Sequence, residues 1–215
     1  MPKRHAIFAV LFVAACGGSS STAPTPEPSS ITLSSTTVNF SSLLATQDLI
    51  ATVRDASGAS ISGLTPLWSS DAGSVATVSN AGPVTAVGNS TARIIAAVGA
   101  LRDTATVTVQ QVSATLTLSP HTLRLAAVGD TAIIGAIVRD AGGSVMTGVA
   151  KTFATGNPSI ATVVATGRVT AVATGATTVT AQVAPGGSGL TKSVRIEVGG
   201  SLPPAYMVGG YVGTA

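Results

Sequence analysis

The sequence predicts an all-β protein built as two tandem Greek-key β-sandwiches, and three observations carry that expectation. Apolar residues alternate with period two through short runs bounded by Gly, Pro, Asn or Ser, the pattern of half-buried strands. The apolar fraction is 45%, drawn from Ala, Val, Leu and Ile, while aromatics are only 3%, so small and β-branched side chains must fill the interior. Residues 31–98 recur at 116–183 without a gap, which makes the fold a duplication.

The chain begins with a short basic stretch, residues 1–5, followed by ten apolar residues, AIFAVLFVAA, at 6–15, and then Cys16. Ten helical residues span about 15 Å, roughly half of a hydrocarbon core. That length suits the apolar region of a signal peptide over 1–15 rather than a permanent membrane span. Val13-Ala14-Ala15-Cys16 resembles the bacterial lipobox. The resemblance implies cleavage before Cys16 and lipidation of its thiol, and two or more acyl chains hold stably in a bilayer where one does not. Ordinary cleavage after Ala15 is the alternative, since Val13 and Ala15 also suit a small-residue site. Cys16 is the single cysteine, so no intramolecular disulfide can form and the domains must be stable on packing alone. Gly17 stands where an Asp tends to retain lipoproteins in the inner membrane of enteric bacteria. By that resemblance the expected address is the cell envelope, at the outer membrane. Residues 16–30 then form a lipidated cysteine and a Pro/Ser-rich tether, in which Pro24, Pro26 and Pro28 favour extended polyproline II.

Two domains follow, at 31–110 and 111–198. Ile31-Thr32-Leu33-Ser34 matches Leu116-Thr117-Leu118-Ser119, Val53-Arg54-Asp55 matches Val138-Arg139-Asp140, and Trp68 matches Phe153. Gly82 matches Gly167, and Val84-Thr85-Ala86-Val87 matches Val169-Thr170-Ala171-Val172. The register slips by four residues at Pro185-Gly186-Gly187-Ser188, a turn composition, after which Val107 and Val109 align with Ile196 and Val198. An insertion confined to one loop is what a sandwich tolerates. In the first repeat strands are expected near 31–34, 37–40, 47–54, 65–69, 75–79, 84–87, 91–98 and 103–109, about seven if the first two are one broken strand. Leu49, Ala51 and Val53 share one face of the third; Ala105, Val107 and Val109 alternate with Thr104, Thr106 and Thr108 in the last.

The segment WSSDAGSVATVSNAGPVTAVGNSTARIIA resembles the signature of group 2 bacterial immunoglobulin-like domains, modules of surface proteins such as intimins and invasins. The second repeat keeps SIATVVATGRVTAVATGATTVTA. The resemblance implies immunoglobulin-like sandwiches with a role in adhesion or display. Two departures stand out: Phe153 replaces the tryptophan, and Asn89-Ser90 stands where glycine is usual, with Gly175 present in the second repeat.

Charge excludes one class of partner. From Cys16 onward nine Lys/Arg face eight Asp/Glu, scattered with no basic stripe, so nucleic acid has no electrostatic footprint. Trp68, Phe153 and Phe40 are expected to plug the sandwich cores, an exposed ligand platform being the alternative. Asp55 and Asp140 end strands and open turns, in RDASG and RDAGG. The carboxylates Glu27, Asp48, Asp55, Asp71, Asp103, Asp130, Asp140 and Glu197 are spread singly, short of the six to eight oxygens of a calcium site. His121 has no counterpart in the first repeat, and no GxSxG elbow accompanies it. The expectation is a non-enzyme with no cofactor and no metal. The Gly-rich tail, 199–215, holds Tyr206, Met207 and Tyr211; it reads as a disordered end or as a docking strand that adds to the edge of a partner or of its own sandwich. Together these features point to a lipid-anchored adhesion or spacer module, held to the membrane through Cys16 and meeting a protein partner. An accessory subunit of a membrane complex and a carbohydrate-binding module are the alternatives.

Overall fold

A computed structural model describes residues 26–183 and 189–199. The leader, Cys16, most of the tether, the insertion at 185–188 and the tail residues Tyr206, Met207 and Tyr211 lie outside the described residues. The described secondary structure is all β, eighteen strands in two matching sets of nine.

The first set is β1 (Ser30–Leu33), β2 (Thr37–Phe40), β3 (Thr46–Asp48), β4 (Ala51–Arg54), β5 (Leu67–Ser70), β6 (Ala76–Val78), β7 (Pro83–Ala86), β8 (Ser90–Val98) and β9 (Leu101–Val109). One layer is the sheet β2-β9-β8-β5, and the other side is made by β1-β4 and β3-β7-β6. The long hairpin β8–β9 carries the alternation most plainly. Ala92, Ile94, Ala96, Ala105, Val107 and Val109 are buried, while Arg93, Arg102 and Thr106 face out. Strand β2 pairs with β9 in parallel, Val38 opposite Val107 and Phe40 opposite Val109. The chain reaches β2 from β1 through a turn in which the Ser35 hydroxyl donates to the Thr37 carbonyl at 2.6 Å.

The second set repeats the first: β10 (Ser113–Ser119), β11 (Thr122–Leu125), β12 (Thr131–Ile133), β13 (Gly135–Asp140), β14 (Lys151–Thr155), β15 (Ala161–Val163), β16 (Arg168–Ala171), β17 (Gly175–Val183) and β18 (Thr191–Val198). Its sheets are β11-β18-β17-β14, β10-β13 and β12-β16-β15, again with the parallel pair, β11 against β18. Each set closes its own core, one running from Ile31 to Val109 and the other from Leu116 to Val198.

The expected strand over 47–54 is divided. Asp48 ends β3 and Ala51 begins β4, and the two belong to different sheets. The reason lies between them. Leu49 is 1% exposed and its N–H donates to the Gly82 carbonyl, whereas Ile50 is 64% exposed and its N–H goes to the Ser34 hydroxyl. The chain crosses here from one sheet to the other, which period-two alternation alone does not register.

That crossing needs glycine at its partner. Gly82 has φ +103°, and a β-carbon there would overlap the Leu49 carbonyl oxygen and touch the Trp68 ring at 3.5 Å. Gly167 has φ +82°, and its β-carbon would lie 2.5 Å from the Ile134 carbonyl oxygen and 3.2 Å from the Phe153 ring. A second pair of equivalent positions has diverged together. Gly175, at φ +140°, faces Ile160, which a β-carbon would meet at 3.1 Å. Its counterpart Ser90 keeps the unusual backbone, φ 156°, and the residue equivalent to Ile160 is the smaller Val75. The Ser90 backbone is one that L residues rarely adopt.

Gly82→Ala and Gly167→Ala are each expected to destabilise their own sandwich by about 2–3 kcal/mol, and Ser90→Gly to stabilise the first by up to about 1 kcal/mol. Urea denaturation checks this, read by Trp68 fluorescence for the first set and by circular dichroism for the second.

Candidate functional site

The aromatic residues sit where the two layers of each sandwich meet. Trp68, on β5, is 8% exposed and belongs to the first core together with Phe40 at the end of β2. Phe153, on β14, is half-buried; it packs against the second core with its ring over Gly167. A smaller ring in place of tryptophan leaves this edge of the second core less covered. The buried position of Trp68 leaves no exposed platform at that residue on which a sugar could stack.

Carboxylates here hold backbone. Asp103, on β9, accepts from the Leu33 N–H at 2.7 Å and from the Thr104 N–H at 2.8 Å, tying β1 across to β9. Asp71 accepts from the Arg93 N–H at 2.7 Å and Asp130 from the Ala127 N–H at 2.9 Å. Asp55 closes an Asx turn: one oxygen takes the Ser57 hydroxyl at 2.6 Å, the Ser57 N–H at 2.9 Å and the Ala59 N–H at 3.0 Å. The Ser57 hydroxyl, aided by the turn's N–H groups, outweighs the opposing effect of burial and holds this carboxyl below the usual carboxylate range. Glu197 pairs with Arg124 at 3.2 Å and Arg195 at 2.9 Å on an open face, where ion pairs contribute little. Among the described residues no three of His, Cys, Asp and Glu stand close enough to share a metal. His121 lies exposed between β10 and β11, beside a groove of roughly 520 Å³ bordered by Leu116, Leu118 and Lys192.

Asp140 departs from its counterpart. The sequence reading places it in a turn, and the turn is there: the Ser144 N–H donates to one carboxylate oxygen at 2.8 Å, and the Gly143 N–H to the Asp140 carbonyl. The other oxygen reaches out of the repeat. It accepts from the Leu43 N–H of the first domain at 2.9 Å and from the Gln111 amide of the linker at 2.8 Å. Gln111 is held in turn by Asn89, whose side chain accepts from the Gln111 N–H at 2.8 Å and donates to its amide oxygen at 3.0 Å. The flanking linker N–H groups, of Gln110 and Val112, donate to the Phe40 and Ser41 carbonyls, both at 2.9 Å. The linker thus continues the pairing of β2 with β9 and carries no slack.

This junction is the most highly organised polar cluster between the repeats, and sequence reasoning missed it. Asp140 is 2% exposed. Burial pushes its carboxyl up, but hydrogen bonds from Gln111 and from the N–H groups of Leu43, Ser144 and Gly142 outweigh burial and hold it below the usual range. The available signal was Asn89, an amide where the second repeat has Thr174.

Trp68→Ala is expected to cost about 3–5 kcal/mol in the first domain. Asp140→Ala is expected to cost the second about 2 kcal/mol or more at neutral pH, through lost charge-assisted hydrogen bonds. Because the folded pKa of Asp140 is depressed, its contribution is fully present above the ordinary value of 3.8 and fades as pH falls through the lower folded value. The gap between wild type and Asp140→Ala should therefore narrow in acid below that value, in denaturant titrations run from pH 7 downward.

The model of the bacterial Ig-like domain of group 2 matches residues 29–109 and 138–194. No curated protein matches the chain. Among solved structures, domains 4 and 5 of the surface layer protein SbsC are 22% identical, covering 81% of this chain and 100% of that one, with a TM-score of 0.39. The Escherichia coli adhesin FdeC is 20% identical over 81% of this chain and 66% of that one, at a TM-score of 0.38. The Yersinia pseudotuberculosis adhesin InvE is 18% identical over 78% of this chain and 58% of that one, at 0.39. This chain spans 29% of the six-domain SbsC structure it also matches. With family matches over most of both sandwiches, the chain belongs to the bacterial immunoglobulin-like domains of group 2.

Proposed function

We propose that this protein is a non-catalytic, lipid-anchored component of the bacterial cell envelope, held through Cys16, that displays its two domains for adhesion or spaces a partner from the membrane. The observation that carries the reading is the order of parts. A cysteine in a lipobox-like context leads into a proline-rich tether, and the tether gives way at β1 to two domains joined by a linker without slack. At the tether's last residues the Ser29 N–H donates to the Arg54 carbonyl, which ties this end of the tether to the first domain.

Family membership supports the reading, since domains of this kind resemble those of bacterial surface proteins. The chemistry of the side chains supports it too. The aspartates that hold backbone N–H groups at turns and crossings are structural ligands of their own chain, and a sandwich of small apolar residues offers its loops and edges rather than a pocket.

Cells fed labelled palmitate should incorporate it into wild type and not into Cys16→Ser, which should be released into the soluble fraction. A soluble, unlabelled wild type would sink the anchor. Protease added to intact cells should then cleave the anchored protein if it is displayed; protection together with a stoichiometric partner in mild detergent would point instead to an accessory subunit.

A further inference from the structure

The two RD-A turns are the same device in the two repeats, but only one is engaged by a neighbour. All the hydrogen bonds to the Asp55 carboxylate come from its own turn, through Ser57 and Ala59. At Asp140 the second oxygen receives the Leu43 N–H from the other domain and the Gln111 amide. Two residues on, the repeats differ: Ser57 in the first, Gly142 in the second. A β-carbon at Gly142 would lie 2.9 Å from the Leu43 carbonyl oxygen and 3.3 Å from the Ser42 β-carbon, both in the first domain. The backbone at Gly142 is not in the left-handed region, so the turn itself does not require glycine there. The two atoms nearest such a β-carbon belong to the neighbouring domain, and the third is the turn's own Asp140 carboxylate.

We infer that Gly142 is the docking determinant of the interdomain joint: its missing side chain lets the loop at 41–43 seat against the second domain, so that Asp140 and Gln111 lock the pair into one orientation. The serine of the first repeat, placed at the same point, turns the same motif into a closed end. Its side chain would occupy the space a neighbour's loop needs, and its hydroxyl satisfies Asp55 from within. The opposite pole agrees. Where the first domain presents Ser42, Leu43 and Asn89 to the joint, the second has Ala127, Val128 and Thr174. Thr174 has no amide to grip a following linker, and Val128 is 58% exposed where Leu43 is half-buried. The joint's residues occur where two domains meet and are absent at the outer poles. This inference is independent of how, or whether, the chain is anchored.

The test uses the full chain carrying Cys16→Ser, with spin labels on Thr77→Cys and Thr162→Cys, exposed equivalent positions on β6 and β15. Pulsed dipolar spectroscopy should give one narrow distance distribution, and adding Gly142→Ser should broaden it at least twofold. Gly142→Ala, which adds the β-carbon without a hydroxyl, should broaden it as well. The first domain's unfolding midpoint, measured on the same samples, should stay near the parent's, and the second's should fall by less than Asp140→Ala lowers it, since the Leu43 and Gln111 bonds to Asp140 are lost while the turn's own bond from Ser144 remains. A distribution that is already broad in the parent, or one equally narrow in both variants, would overturn the inference.

Discussion

In each sandwich one backbone contact decides whether the two short sheets that make one layer can be threaded by a single continuous chain. The strand that begins in one sheet must leave it and enter the other, and it does so at Leu49 in the first domain and Ile134 in the second. At those points the carbonyl oxygen occupies the space where a β-carbon of Gly82 or Gly167 would stand. The same glycines put their bare faces under Trp68 and Phe153, so the crossing and the aromatic plug are one feature. Side chains larger than hydrogen would push the strands apart and lift the ring from the core. The hydrogen bonds Leu49 N–H to Gly82 and Ile134 N–H to Gly167 then hold the crossing in place.

Around that contact the core is made of small parts. The buried hydrophobic residues are mostly Val, Ala, Leu and Ile, with two aromatic rings buried in the first domain and none among the fully buried residues of the second. Small side chains on closely spaced layers give up less rotamer entropy on folding than long ones. They also leave little spare volume, so fit is set by backbone approach rather than by side-chain adjustment.

Much of this was legible in the chain, because duplication and alternation are both local or periodic signals. The burial of Ala105, Val107 and Val109 follows directly from period two, and the match of Trp68 to Phe153 follows from the repeat. The division of 47–54 was not legible, since Leu49 and Ile50 obey the same alternation whether the strand runs on or changes sheet. Nor was the role of Asp140. Both repeats carry Arg-Asp-Ala, and a turn-forming aspartate explains both equally well until the partners are known. Those partners, Leu43 and Gln111, lie 97 and 29 residues away, beyond the reach of any pattern read along the chain. The contrast of Ser57 with Gly142 was visible in the alignment, but its meaning depends on which loop stands opposite.

The parallel pairing of β2 with β9, and of β11 with β18, has a mechanical consequence. The second strand of each domain runs beside its last strand in the same direction, Thr37–Phe40 against Thr106–Val109 and Thr122–Leu125 against Arg195–Val198. Tension applied between the ends of a domain pulls these neighbours past each other along their length. The hydrogen bonds between them are then loaded side by side, in shear, and must fail together rather than peel one after another. A domain wired this way resists stretching along the very line on which a tether would pull it.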